Sequence, residues 1–137
     1  MALELSSKLR VRSSDLDPFG HANHAAFLEF YEHARLEYLM QKDLSFQKLM
    51  RMGYLFPVVH AEVDYLKPLM VMDEIEIVGR LEAVGRTSIT LIQEMYRLPG
   101  RELVSKAKFV AVFIDRETGQ PVVVPAEFKA AFWTENQ

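Results

Sequence analysis

Hydrophobic residues recur at spacings of three and four between residues 24 and 41, and polar residues occupy the opposite side. The apolar positions are Phe27, Phe30, Tyr31, Ala34 and Tyr38, and the polar positions are Glu29, His33 and Glu37. A period of about 3.6 residues is typical of an amphipathic helix that buries one face. The pattern therefore predicts a long helix that ends near Gln41.

From residue 56 onward, apolar positions alternate with polar ones, as in strands that bury one face. The alternating apolar sets are Val59, Ala61, Val63 and Tyr65; Ile75, Ile77 and Leu81; and Leu103, Ala107, Phe109 and Phe113. Residues 86–97 also have the character of a strand, and turn residues at 84–86 and 98–101 join these strands into antiparallel hairpins. An earlier short strand is predicted from Lys8, where Leu9 and Val11 alternate with arginines.

Three shorter elements complete the prediction. A second helix from about Ser45 to Met52 is expected because Ser45 can cap it and Gly53 can end it. After a turn at 115–119, we expect a short strand around Val122 and a terminal helix from Pro125, since proline is favoured in a first helical turn. The predicted order is β-α-(α)-β-β-β-β-α, which is typical of an α+β fold.

An antiparallel sheet with alternating faces has to cover its apolar side. Only the helix at 24–41 is long and apolar enough, so we predict one domain, residues 1–137, in which the sheet wraps around one long central helix. Such a sheet leaves two open edges and apolar surface that a second copy of the chain can bury. We therefore expect a homodimer or a homotetramer and no active monomer.

Composition narrows the possible function classes. The 137 residues suffice for one core, and a net charge of −3 provides no basic field for nucleic acid. No apolar run approaches the roughly 20 residues of a membrane span, and the first residues lack the pattern of a secretory signal. The absence of cysteine excludes thiol catalysis, disulfides and thiolate metal sites. We expect a cytoplasmic protein that binds neither nucleic acid nor membrane.

The densest group of polar side chains lies between the first strand and the long helix: Asp15, Asp17, His21, Asn23 and His24. A carboxylate beside the free N–H groups of a helix N-terminus has the parts required for acyl-transfer hydrolysis. A purely local role is equally compatible with the spacing, because Asp17-Pro-Phe-Gly suits a type I turn and Asn23 suits a helix N-cap. The carboxylates and histidines match no standard metal-site spacing, so we expect no metal.

Several blocks follow one another in a characteristic order. D-P-F-G-H-A-N at 17–23 is followed by F-L-E-F-Y-E-H-A-R at 27–35, V-D-Y-L-K-P at 63–68, G-R-T-S at 85–88 and F-V-A-V-F-I-D at 109–115. In this combination the chain resembles, over nearly its whole length, the 4-hydroxybenzoyl-CoA thioesterase-like acyl-CoA thioesterases of the hotdog-fold superfamily. The resemblance implies a hotdog fold, which agrees with the predicted elements.

The resemblance also implies roles for the residues of the first block. Asp17 matches the catalytic carboxylate, which acts as a nucleophile or as a general base on water. The backbone N–H around His24 matches the oxyanion donor, and the side chains of Asn23 and His24 stand beside the substrate. His21 follows Asp17 by four residues, as in plant acyl-ACP thioesterases, but those relatives have Asn where this chain has Phe19. An acid–base role and an orienting role for His21 therefore both stay open.

Arg86, Thr87 and Ser88 resemble the segment that meets the CoA phosphates, and an arginine binds phosphate oxygens in a bidentate manner. The resemblance thus implies an acyl-CoA thioesterase that needs no cofactor, with its site where the helix N-terminus of one subunit meets the sheet of its partner. An acyl-ACP thioesterase and a non-catalytic acyl-CoA-binding hotdog module are the alternatives. On the helix, we expect Glu32 and Arg35 to pair with each other or across the dimer, and the aromatic stripe to be core.

Overall fold

Five antiparallel strands form the main sheet of the computed structural model, which describes residues 3–133. Across the sheet, the order is β1 (Leu5–Arg10), β4 (Glu74–Val84), β5 (Ser88–Arg97), β6 (Glu102–Val112) and β3 (Val58–Tyr65). Two short strands, β2 (Tyr54–Leu55) and β7 (Ile114–Asp115), form a separate ladder. The long strands predicted from the alternation are therefore confirmed, and each pairs antiparallel with its neighbour, with one shift of register in each of the pairings β3–β6, β4–β5 and β5–β6.

Three α-helices accompany the sheet within the described range: α1 (His24–Gln41), α2 (Phe46–Arg51) and α3 (Ala126–Phe132). The long helix α1 ends at the residue that the periodicity predicts. The Ser45 hydroxyl accepts a hydrogen bond from the backbone N–H of Lys48 at 3.1 Å, so the predicted cap of α2 is also confirmed. A short 3₁₀ helix, Ser13–Asp15, precedes α1.

The helix α1 crosses one face of the sheet, and its side chains form hydrogen bonds with three of the strands. The Tyr31 hydroxyl donates to Ser105 Oγ at 2.6 Å, the Tyr38 hydroxyl donates to the Ile77 carbonyl at 2.7 Å, and Gln41 Nε2 donates to the Ser6 carbonyl at 2.8 Å. Since these partners belong to β6, β4 and β1, the helix runs from the β3 edge of the sheet toward the β1 edge. The five apolar positions predicted for its buried face are all buried, which confirms their place in the core: Phe27, Phe30, Tyr31, Ala34 and Tyr38.

The close approach of α1 to β4 depends on Gly79. A Cβ atom at this position would lie 2.5 Å from Tyr38 Cε2 and 3.0 Å from the Tyr38 hydroxyl oxygen. Any larger residue would therefore push the Tyr38 ring away from the Ile77 carbonyl that it bonds. Glycine is required here for space, not for an unusual backbone angle.

The two edges of the sheet are β1 and β3. In β3, seven of the eight residues are exposed, and the apolar side chains of Val58, Val59 and Tyr65 are 43%, 60% and 41% exposed. The alternation of the sequence predicts that one face of this strand is buried, and within the single chain it is not. A partner on this edge would supply the missing cover.

Some predicted boundaries are wrong. Strand β1 begins three residues before Lys8, because its ladder with β4 extends from Leu5 to Arg10. No strand forms around Val122: an isolated bridge joins Pro121 to Ile114, and the Val122 N–H donates to the Phe113 carbonyl at 2.9 Å. Prolines at 121 and 125 have no N–H to give to a ladder, so this segment stays irregular. Pro125 is the N-cap of α3, just before the first helical turn.

Candidate active site

Asp17 occupies the turn that leads from the 3₁₀ helix to α1. Its Oδ1 accepts hydrogen bonds from the backbone N–H groups of Phe19 at 2.9 Å and His21 at 3.2 Å, and its carbonyl accepts one from the Gly20 N–H at 3.0 Å. Gly20 has a φ of 84°, a conformation that glycine adopts without strain. The turn role is thus observed, and it uses only one oxygen of the carboxylate. Within residues 3–133, Oδ2 of Asp17 has no hydrogen-bond partner.

Backbone hydrogen bonds on both sides fix this loop to the rest of the chain. The Asp17 N–H donates to the His21 carbonyl at 2.7 Å, the Ala22 N–H donates to the Leu69 carbonyl at 2.8 Å, and the Asn23 N–H donates to the Asp15 carbonyl at 2.9 Å. Asp15 is itself buried, and its carboxylate accepts hydrogen bonds from the backbone and the guanidinium of Arg12. The Asp17 carboxylate is therefore held in place by the backbone of a well-anchored loop.

The N-terminus of α1 follows directly. The Asn23 side chain caps the helix, because its Oδ1 accepts from the Ala26 N–H at 2.7 Å, and the Asn23 carbonyl accepts from the Phe27 N–H at 3.3 Å. The N–H groups of His24 and Ala25 have no acceptor in the part of the chain that the structure describes. Such groups at a helix start can polarise a carbonyl oxygen.

The imidazole ring of His24 lies against an aromatic ring of the edge strand. The ring centroids of His24 and Tyr65 are 4.6 Å apart, and the Tyr65 hydroxyl donates to the His24 carbonyl at 3.4 Å. The N-terminus of α1 is therefore anchored to the last residue of β3. His21 is held near Asp17 through backbone bonds, and its ring makes no hydrogen bond or ion pair with the residues at 3–133.

The predicted CoA-binding residues lie at the opposite end of the sheet. Arg86 and Thr87 form the turn between β4 and β5, and their carbonyls accept from the backbone N–H groups of Val124 at 2.9 Å and Phe113 at 2.8 Å. The Arg86 side chain is exposed and has no partner within the described chain. From Ser88 to Arg97, strand β5 spans about 30 Å. At the far end of β5, Arg97 Nη1 donates to the Pro68 carbonyl, which lies beside the Asp17 loop. Within a single chain, Arg86 and Thr87 are therefore far from Asp17.

An apolar cleft of about 430 Å³ lies along one flank of α1. It crosses the sheet, with walls formed by Val58 of β3, Phe109 of β6, Leu91 of β5 and Leu81 of β4. Four phenylalanines close its far side, and they come from α2, α3 and the segment before β3: Phe46, Phe56, Phe128 and Phe132. This cleft could not be predicted from the sequence, because its walls come from elements that are distant along the chain. The one feature of the sequence that hinted at an apolar cleft is the large number of phenylalanines outside the apolar face of α1.

A partly buried cation lies in the wall of this cleft. Arg35 Nη1 donates to Gln93 Oε1 at 3.1 Å, and the guanidinium carbon lies 4.3 Å from the centroid of the Phe109 ring. Gln93 is fully buried, and its Nε2 donates to the Tyr31 carbonyl at 3.2 Å. Of the two pairings predicted for Glu32 and Arg35, the ion pair with each other does not form within the described chain, because Arg35 turns toward the sheet, and a pairing across the dimer stays a prediction.

No helix within residues 3–133 is long and apolar enough to cross a membrane. No group of three or more His, Asp or Glu side chains among the same residues is arranged to hold a metal ion.

Comparison with known proteins gives this arrangement a family. The model of the Thioesterase-like superfamily matches residues 11–132. The chain belongs to this superfamily. Among curated proteins, it is 30% identical to the long-chain acyl-CoA thioesterase FadM of Escherichia coli, over 91% of this chain and 94% of that protein. It is 31% identical to the acyl-CoA thioesterase YbgC of Haemophilus influenzae, over 93% of each chain.

Longer relatives and solved structures extend the comparison. The chain is 26% identical to the acyl-acyl carrier protein thioesterase ATL3 of Arabidopsis thaliana, over 91% of this chain, and spans 65% of that protein's length. The crystal structure of the probable thioesterase YbaW of Escherichia coli has a TM-score of 0.81 at 29% identity, covering 92% of this chain and 94% of that one. A protein of Aquifex aeolicus has a TM-score of 0.87 at 25% identity, covering 93% and 98%. The hotdog fold and the thioesterase family, both expected from the sequence, are confirmed.

Proposed function

We propose that the chain is an acyl-CoA thioesterase that hydrolyses an acyl-CoA thioester to a free carboxylic acid and CoA. The observation that carries this proposal is the state of the Asp17 carboxylate. Two backbone N–H groups hold its Oδ1 in place, Oδ2 is unpartnered within residues 3–133, and the helix that follows begins with two N–H groups that are unpaired in the same range. The names of FadM and YbgC, each at least 30% identical to the chain, support the same activity.

In this proposal the Asp17 carboxylate and the N–H groups at the start of α1 have separate roles. Asp17 Oδ2 attacks the thioester carbonyl carbon, or takes a proton from a water molecule that attacks it. The N–H groups of His24 and Ala25 receive the developing oxyanion, and each such donor commonly contributes about 10²–10³-fold in rate. The carbon–sulfur bond then breaks, and CoA leaves as the thiolate. On the general-base route, the thiolate takes the proton that Asp17 accepted from water. On the nucleophilic route, water next hydrolyses the mixed anhydride formed with Asp17, which releases the carboxylic acid, restores the Asp17 carboxylate and supplies the proton that the thiolate takes up.

The complete site requires two chains. The exposed strand β3 begins at Val58 in the cleft wall and ends at Tyr65 beside His24. If two copies pair antiparallel along β3, the end of one strand meets the start of the other. The Asp17 loop of one subunit then lies next to the cleft of its partner, whereas its own Val58 is about 24 Å away along the strand. We infer that the acyl chain enters the cleft of one subunit while Asp17 of the other acts on the thioester.

The same pairing brings the CoA-binding residues into range. Arg86 follows β4 at the end of the sheet where Val58 begins β3. Arg86 of the subunit that holds the acyl chain is therefore on the side from which the nucleotide approaches. We propose that its exposed guanidinium binds the CoA phosphates, with the hydroxyls of Thr87 and Ser88 beside it.

Two features favour CoA over a carrier protein as the thiol carrier. An acidic carrier protein needs an exposed basic patch. Near the Asp17 loop, the cations are already paired with carboxylates: Arg10 with Glu74, Lys67 with Glu102, Arg97 with Asp73 and Glu102, and Arg101 with Glu76. The net charge of −3 also disfavours binding of an acidic carrier protein. Because ATL3 and ATL2 are named acyl-ACP thioesterases, the acyl-ACP reaction is the second candidate.

A thiol-release assay tests the proposal. Wild-type protein is incubated with acyl-CoAs of short, long and aromatic acyl groups, and with the matching acyl-ACPs, and free thiol is measured over time. We expect release from at least one acyl-CoA class, faster than from the matching acyl-ACP. Faster release from acyl-ACP would favour the second candidate. No release from any thioester, in a sample that binds acyl-CoA, would show that the chain is a non-catalytic binding module.

A further inference from the structure

Arg35 is unusual among the charged side chains that line the cleft. Arg80 belongs to β4, at one end of the cleft, where it is exposed and pairs with Glu94 at 3.4 Å. Glu32 is exposed, lines the same cleft and forms no direct ion pair with Arg35 within residues 3–133. Arg35 is the partly buried one, and it reaches across the cleft floor to contact β6 and β5. A cation thus stands in the middle of a wall that is otherwise mainly apolar.

The hydrogen-bonding capacity of Arg35 is largely unused. A guanidinium has five N–H donors. In the chain between residues 3 and 133, one of them bonds Gln93, and the Phe109 ring contributes a cation–π contact. Burial lowers the pKa of Arg35, because the charged form is partly desolvated, although the negative charge of Glu32 opposes this effect. A partly buried guanidinium with unfilled donors and no direct ion pair within residues 3–133 is well placed to bind a further acceptor in the cleft.

The position of Arg35 fixes where such an acceptor would lie. Neighbouring strands are about 4.8 Å apart, so a guanidinium that touches both β6 and β5 is roughly 5–10 Å from the β3 end of the cleft. An extended chain advances about 1.2 Å per bond. Arg35 is therefore roughly four to eight bonds inside the edge where the acyl group enters.

We propose that Arg35 makes the cleft selective for acyl groups that carry a carboxylate at their far end, so that CoA half-esters of medium-length dicarboxylic acids are preferred substrates. This inference rests on the proposed thioesterase function and adds the class of acyl group. A carboxylate offers two acceptor oxygens to the guanidinium fork, which is the geometry that arginine binds best. Without a cation, an apolar cleft rejects a charged group strongly. The comparison of a dicarboxylic with a plain acyl chain of equal length is therefore a sharp test.

The test compares octanedioyl-CoA with octanoyl-CoA, flanked by C4 and C14 pairs. In wild-type protein we expect kcat/KM for octanedioyl-CoA to exceed that for octanoyl-CoA, and this advantage to disappear for the C4 pair, whose carboxylate stops short of Arg35. A kcat/KM for octanoyl-CoA equal to or above that for octanedioyl-CoA in the wild type would overturn the proposal. This first arm needs no variant and so does not depend on the stability of any substitution.

Two arginine variants form the second arm. Arg35→Met should lower the octanedioyl-to-octanoyl ratio of kcat/KM by about 10- to 100-fold, the usual effect of losing a hydrogen bond to a charged group. Octanoyl-CoA turnover should persist, which shows that the variant is folded. The matched control, Arg80→Met, removes the exposed arginine of the same cleft and should leave the ratio within about twofold. Equal changes in the two variants would refute a specific role for Arg35.

The outcomes also separate this inference from the proposed function. If plain acyl-CoAs are hydrolysed and octanedioyl-CoA is not preferred, the thioesterase proposal stands and the Arg35 proposal fails. If no thioester is hydrolysed, calorimetric binding of octanedioyl-CoA and octanoyl-CoA to wild type and Arg35→Met decides the Arg35 proposal alone. Tighter binding of the dicarboxylic ester to wild type, lost in Arg35→Met, supports it, and equal binding overturns it.

Discussion

A site shared between two subunits predicts a distinctive behaviour of mixed dimers. Asp17→Asn disables the carboxylate of a subunit, and Ala111→Trp fills the cleft of a subunit, because Ala111 lines the cleft and is only 8% exposed. Each homodimer should then be inactive. A dimer with one subunit of each kind, isolated through two affinity tags, retains one intact combination: Asp17 from one chain and an open cleft from the other.

The expected activities follow from counting sites. In the proposed arrangement a wild-type dimer has two sites, so the mixed dimer should have about half of the wild-type activity. Loss of a catalytic carboxylate commonly costs about 10²–10⁴-fold, so this half should stand at least about 50-fold above the homodimer background. The reciprocal dimer pairs a wild-type subunit with one that carries both substitutions. It has no intact combination across the interface and should be nearly inactive.

The assay is thiol release per dimer at a concentration where light scattering shows a dimer. The reversed pattern, an inactive mixed dimer and a half-active reciprocal dimer, would mean that each chain uses its own cleft and would refute the pairing along β3. A fully active species of 15.8 kDa would refute the shared site altogether. Melting curves of the two parent homodimers should lie within a few degrees of wild type, because Asn preserves the turn and the larger side chain at position 111 extends into the open cleft.

Three further predictions concern single sites. Arg86→Ala should raise KM for CoA esters and leave kcat nearly unchanged, with no effect on pantetheine esters; an equal KM for both would contradict phosphate binding. Gly79→Ala should lower the free energy of unfolding by about 2 kcal/mol, or Tm by about 7 °C, because the new Cβ would displace the Tyr38 ring. An unchanged Tm would show that α1 can shift to make room for the Cβ at no cost in stability. Burial raises the pKa of Asp15, but hydrogen bonds from Arg12 outweigh it and hold that pKa below its ordinary value. The stability that this carboxylate contributes is therefore present at neutral pH and lost in acid, so the Tm deficit of Asp15→Asn should shrink below about pH 4, and a deficit independent of pH would contradict it.

The elements that could be predicted from the sequence are those with a strong period of their own. The helix α1 and strands β3 to β6 follow local alternation, and the turn at Asp17 follows from the preferences of Asp, Pro and Gly. The strand around Val122 fails for a local reason, because two prolines interrupt its ladder. Periodicity alone could not place the N-terminal limit of β1, since its first residues pair with β4, which is remote in sequence.

The features that escaped prediction depend on contacts between distant segments. On a helix, Glu32 and Arg35 are three residues apart, a spacing that favours a surface pair. In the folded chain, Arg35 instead contacts Gln93, 58 residues later, and Phe109. The cleft itself exists only after α2, α3 and the sheet come together. Its volume and the partly buried cation in its wall could not be inferred from any local pattern.

In the proposed mechanism, Oδ2 of Asp17, which has no partner within residues 3–133, performs the chemistry. The most direct test is the kcat of Asp17→Asn on the acyl-CoA that the wild type hydrolyses fastest, with binding measured in parallel. Asn keeps an oxygen for the N–H groups of Phe19 and His21, so the variant should fold, dimerise and bind acyl-CoA. An amide neither attacks a thioester nor accepts a proton from water, so we predict that kcat falls by at least about 10²-fold. A near-wild-type kcat would remove Asp17 from the mechanism and leave it as a turn residue only.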